Sequence, residues 1–193
     1  MCEGKVLILA SASPRRAAFL REAGVRFLQI PADIDEKAVM ENTPEETVKA
    51  IALKKAEKIF AERGGAVLAA DSAVVLDGKM LGKPADEEEA KEMLRALSGR
   101  THAVVTGVAF VSAGRAVNEC VRTEVDFNDL TEEFIAAYAA TGSPLDKAGA
   151  YGIQDGGLAK TYRGSYSNIV GLPMEFVSGL LEEEGFLPAR ERR

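Results

Sequence analysis

Residues 43–62 constrain the fold more than any other stretch of this chain. Thr43 and Glu46 flank Pro44 in a capping-box pattern, and Val48, Ile51, Ala52, Ala56, Ile59 and Phe60 follow at helical spacing. Gly64 and Gly65 end the helix. Residues 66–70 then read as a central strand running into Asp71. A long amphipathic helix followed at once by a wholly apolar strand predicts an α/β chain.

The flanking segments extend that pattern. Residues 5–9 predict a buried strand, closed by a Ser/Pro segment in which Ser13 caps a helix, Pro14 takes its first position and Gly24 stops it. A second strand is expected over 25–30. Residues 74–76 and 79–81 predict a hairpin about Asp77-Gly78. Asp86 and Glu89 start a helix that turns Ala90, Met93, Leu94 and Leu97 inward and stops at Gly99. Strands are expected over 102–111 and 115–127, joined through Ala113 and Gly114, and helices over 131–140 and 173–184. The Gly-rich stretch 149–171 mixes short extended pieces and loops. The expected architecture is α/β, a mixed sheet with flanking helices and two lobes around a cleft, in a single domain over 1–193.

Composition narrows the chemistry. The chain has 193 residues, 47% of them hydrophobic, and a net charge of −6. That balance argues against a nucleic-acid partner but leaves room for a small anion in a locally basic cleft. No window approaches the roughly 20 apolar residues of a membrane span, and Glu3 within 1–10 does not suit a secretory signal. Cys2 and Cys120 form no metal-ligand spacing, so a reduced, cytoplasmic setting is expected. With His102 the sole histidine, catalysis should rest on carboxylates, lysines, arginines and a hard metal ion.

Several segments supply such groups. In LASASPRR (9–16), Ser11, Ser13, Arg15 and Arg16 stand where a strand hands over to a helix N-terminus, a natural anion site. A cation in that first turn opposes the helix dipole, a cost that a bound phosphate would offset. A plain helix cap with solvated arginines would read the same. In ADSAVVLDGKMLGKP (70–84), Asp71 follows an apolar strand, where open sheets place ligands, and Lys83 could turn back toward it. Lys55 falls near the middle of the apolar face of the 43–62 helix, which asks for a paired carboxylate or a bound anion, or else a snorkelling stem. Asp33, Asp35 and Glu36 form an acidic loop that can recruit a hard cation or simply be solvated. Gln154 can both donate to and accept from a base edge. His102 reads as structural, and 88–95 as a solvated helix face.

Together LASASPRR (9–16), KKAE (54–57), AADSAVVLDGKMLGKP (69–84), LSGRTHAVVTGVAF (97–110), KAGAYGIQ (147–154) and GSYSNIVGLP (164–173) closely resemble the Maf family of nucleoside triphosphate pyrophosphatases. The resemblance implies a fold similar to inosine triphosphate pyrophosphatases, a homodimer, and cleavage between the α- and β-phosphates with a divalent cation, Mg or Mn. It implies Asp71 as proton acceptor, with Glu36, Lys55 and Lys83 supporting metal and phosphates. Asp71 and Glu36 would be the metal ligands, and Arg15, Ser72 and Gln154 would set substrate choice. YGIQ followed by GSYSNIVGLP resembles the branch acting on dTTP and UTP. Ser72 stands where the family has threonine, keeping the hydroxyl and losing a methyl. Rival readings are a 7-methyl-GTP or modified-purine triphosphate pyrophosphatase, and a non-catalytic nucleotide-binding regulator of septum formation.

Overall fold

A computed structural model describes residues 6–188, so Cys2 and Lys5 lie outside the described residues. A seven-stranded mixed sheet has the order β2-β1-β3-β5-β6-β7, with β4 also on β3. The strands are β1 (Leu7–Leu9), β2 (Phe27–Gln29), β3 (Ala66–Leu76), β4 (Lys79–Leu81), β5 (Thr101–Ser112), β6 (Arg115–Phe127) and β7 (Ala159–Arg163). The helices are α1 (Pro14–Glu22), α2 (Pro44–Arg63), α3 (Glu87–Leu97), α4 (Glu132–Ala140), α5 (Tyr166–Val170) and α6 (Met174–Glu183).

Helix starts follow local chemistry. The side chains of Ser13, Thr43, Asp86 and Thr131 each accept a hydrogen bond from the backbone amide three residues on. Asp77 (φ 50°) and Gly78 (φ 75°) both take left-handed conformations, as a tight hairpin turn requires.

One expectation is corrected. The 66–70 strand was expected to end at Asp71, with a separate strand at 74–76. Instead β3 is a single strand of 11 residues, and Asp71 lies in its middle. Asp71, Ser72 and Ala73 pair with Gly107, Thr106 and Val105 of the long neighbour β5, which carries the strand through this polar interruption.

Alternation along β3 builds the layers. Val67, Ala69, Ala73 and Val75 face α2, together with Ala56, Ile59 and Val48. On the other face, Leu68 and Ala70 join a cluster with α1 and α6, whereas Val74 and Leu76 join one with α3 and the segment 150–158. Gly107 lets α2 lie close on β5, because a Cβ there would sit 2.3 Å from the Val48 carbonyl oxygen.

His102 is buried in the second of those clusters, its Nε2 2.8 Å from the Tyr151 hydroxyl and its ring edge-on to Phe127. The structural reading of His102 fits this placement. Burial pushes its pKa down from 6.5 to about 4, against the opposing pull of Asp126. An unfolded histidine therefore binds a proton at a higher pH than the folded one, and stability falls as pH drops from about 6.5 toward 4. Urea unfolding should lose about 2 kcal/mol between pH 7 and pH 5, and most of that loss should vanish in His102→Gln. An equal loss in the variant would remove His102 as its source.

Candidate active site

The cleft originates at the edge of β3. β1 pairs with β3 only over 66–68, and β4 only over 74–76. Between them the 69–73 edge has no strand beside it. A cleft of about 680 Å³ runs past this opening and touches both faces of the sheet. Asp71 faces α2 and Ser72 faces α1, since neighbouring residues of a strand point opposite ways.

On the α2 face, Lys55 is 7% exposed. Its Nζ lies 2.8 Å from Asp71 Oδ1 and 2.7 Å from Glu36 Oε1. The inward lysine expected from helical periodicity is thus paired with carboxylates rather than snorkelling. Asp71 is largely buried, its side chain 14% exposed, while Glu36 opens to solvent at 51%. The 31–40 segment selects Glu36 because Asp35 turns back to cap its own 3-10 turn, accepting from the amides of Lys37 and Ala38. Lys58 Nζ donates to the Asp33 carbonyl and ties the same loop to α2.

On the opposite face, Arg16 reaches under Ser72 and donates to Ser72 Oγ at 3.0 Å. Desolvation lowers its pKa, with Asp71 pulling the other way, and a guanidinium remains charged under these conditions. Ser13 Oγ is engaged as the α1 cap. Ser11 Oγ accepts from Arg16 Nη1 at 3.1 Å. Arg15 turns to the cleft mouth and pairs with Asp146 at 2.9 Å. Lys83 and Gln154 line the cleft as exposed side chains and make no ion pair among the described residues.

Lys147 was not singled out in the sequence, although it opens KAGAYGIQ. It lines the cleft, and its Nζ lies 2.6 Å from the Ser143 carbonyl and 2.8 Å from Asp146. A lysine beside a run of small residues is the signal that marks it. Six cationic side chains and three carboxylates line the cleft, a net charge of +3 inside a chain of net −6. Such a cavity concentrates small polyanions. A smaller pocket of about 300 Å³ at the start of α2 holds the Arg122–Glu45 pair.

Comparison with known proteins follows the same lines. A family profile described as Maf-like protein matches residues 6–184. A dTTP/UTP pyrophosphatase of Desulfitobacterium hafniense strain Y51 is 50% identical over 192 residues, covering 94% of this chain and 86% of that protein. A dTTP/UTP pyrophosphatase of Thermococcus gammatolerans is 45% identical over 179 residues, covering 92% and 96%. Among solved structures, the Staphylococcus aureus Ham1 protein superposes with a TM-score of 0.57 at 16% identity, over 93% of this chain and 100% of that one. A HAM1 protein from Coxiella burnetii gives 0.53 at 19%, with the same coverage. At such identities the structural likeness establishes the fold.

Lys55 holds two carboxylates together, so its removal leaves them facing each other. Lys55→Met should lower the unfolding free energy by about 2 kcal/mol, below the range for fully buried pairs because Glu36 is half in water. Adding Glu36→Gln should recover part of it. Urea midpoints identical to the parent's would show that the bridge does not brace the fold.

Proposed function

The chain belongs to the Maf-like protein family, and on that premise we propose that it hydrolyses dTTP and UTP between the α- and β-phosphates, releasing a nucleoside monophosphate and pyrophosphate. The observation that carries the reading is a buried lysine clamping Asp71 and Glu36 at the wall of a net-positive cleft. A pure anion-binding site has little use for two carboxylates beside bound phosphates. A hydrolase needs one to take a proton from water. The choice of pyrimidine substrates is supported by the activity for which the relatives are named.

In this mechanism Asp71 orients a water and accepts its proton. Lys55, at 2.8 Å, holds the Asp71 carboxylate in place. Lys83 and Arg15 stand along the same cleft and offset charge on the phosphate oxygens as the bond breaks. Gln154 and Ser72 meet the nucleoside end. Arg15 must leave Asp146 to reach a ligand, an exchange of one anion for another at the cleft mouth.

The donor set suits a divalent cation, magnesium or manganese. Lys55 takes one oxygen from each of Asp71 and Glu36, which leaves each carboxylate another. No group of three or more His, Cys, Asp or Glu side chains gathers as a metal cage among the described residues. Magnesium commonly needs no cage, being held by one or two carboxylates with substrate phosphates and water. When bound it would neutralise phosphate charge and lower the pKa of a bound water.

Pyrophosphate release should be measured for dTTP, UTP, CTP, dITP and 7-methyl-GTP with Mg²⁺. The proposal expects dTTP and UTP to be turned over about tenfold or more better than the others. Preferred turnover of 7-methyl-GTP or dITP would reassign the substrate. Binding of all five without turnover would make the protein a nucleotide-binding regulator.

A further inference from the structure

Arg16 lies in the first turn of α1, where its charge opposes the helix dipole. Phosphate is one remedy for that conflict, but four protein oxygens already supply another. Nε donates to the Gly171 carbonyl at 2.7 Å. Nη1 donates to the Ala70 carbonyl at 2.8 Å and to Ser11 Oγ at 3.1 Å. Nη2 donates to Ser72 Oγ at 3.0 Å. A guanidinium has five N–H groups, so one remains.

The Ala70 bond has a particular meaning in the sheet. Ala10 N donates to the Leu68 carbonyl at 2.8 Å, the last ladder bond from the β1 side. Alternate residues of a strand turn their carbonyls to the same edge, so Ala70 offers the next acceptor after β1 has run out. The guanidinium occupies the place that a continued β1 would fill. The Ser72 hydroxyl is fixed as well. Thr106 Oγ1 donates to the Asn168 carbonyl at 3.2 Å, so the 2.9 Å contact between Ser72 and Thr106 has Ser72 as donor. Ser72 then accepts from Arg16, and one directed chain runs from α1 through β3 and β5 to α5. Thr106 and Asn168 are both fully buried.

We propose that Arg16 is a positioning residue rather than a phosphate ligand: it replaces the missing length of β1 and holds residues 70–72 so that Asp71 stays aligned on the other face. The proposal rests on the hydrolase reading for its kinetic consequences. Lysine at position 16 keeps the charge but cannot span four acceptors.

Arg16→Lys should lower kcat for dTTP about 100-fold, the scale of a small misplacement of a catalytic group. KM, and the inhibition constant of inorganic pyrophosphate, should stay within about threefold. Added guanidinium should restore turnover to Arg16→Ala, and methylammonium should not. Parent-like kcat in Arg16→Lys, or equal rescue by both cations, would overturn the assignment. Should Arg16→Lys fail to fold, Thr106→Val removes the acceptor that orients the Ser72 hydroxyl toward Arg16 and should lower kcat with KM kept; a raised KM at unchanged kcat would count against the strut. A parent enzyme without any turnover would sink the hydrolase reading alone. In that case amide exchange over 69–73 decides: faster exchange in folded Arg16→Lys supports the strut, and unchanged exchange refutes it.

Discussion

The arrangement depends on an uncovered stretch of sheet edge. β3 is longer than either strand on its outer side, and β1 and β4 leave a gap between them. Backbone groups on such an edge must find partners, which is why sheets seldom leave them open. Here a side chain closes part of the gap from one face, and the cleft occupies the rest. Because successive residues alternate, the gap exposes a carboxylate toward α2 and a hydroxyl toward α1. One opening therefore serves two faces of the sheet.

Electrostatics then decides what that opening can hold. Lys55 could not remain buried as a lone charge, and the two carboxylates on it make its burial tolerable. Their charge would repel a triphosphate if it stood alone. The further cations around the cleft, Arg15, Arg16, Lys37, Lys83 and Lys147, reverse the local sign. Overall acidity and a basic cavity are compatible because the field inside a cleft is set by its own walls.

Much of this was legible in the sequence, and the parts that were not share a cause. Lys55 was visible because helical periodicity is local and places the residue on the apolar face regardless of what packs there. The caps at Ser13, Thr43, Asp86 and Thr131 were visible for the same reason. Asp71 was misplaced at a strand end because a polar pair usually ends an apolar run, and its continuation depends on pairing with β5, remote in sequence. Glu36 could not be separated from Asp35 until the 3-10 turn consumed Asp35 as its cap. The dipole conflict at Arg16 pointed to a bound phosphate, whereas the acceptors that meet the guanidinium are protein oxygens of Ser11, Ala70, Ser72 and Gly171, three of them far along the chain.

The central claim is that Asp71 performs chemistry at the open edge of β3 and is not merely Lys55's partner in an ion pair. Asp71→Asn preserves size and a hydrogen-bond acceptor for Lys55 while removing the base. Equilibrium binding of dTTP and single-turnover pyrophosphate release should be measured side by side in the parent and this variant. The account predicts binding within about tenfold of the parent and release slowed by at least about 100-fold. Release at the parent rate would contradict it.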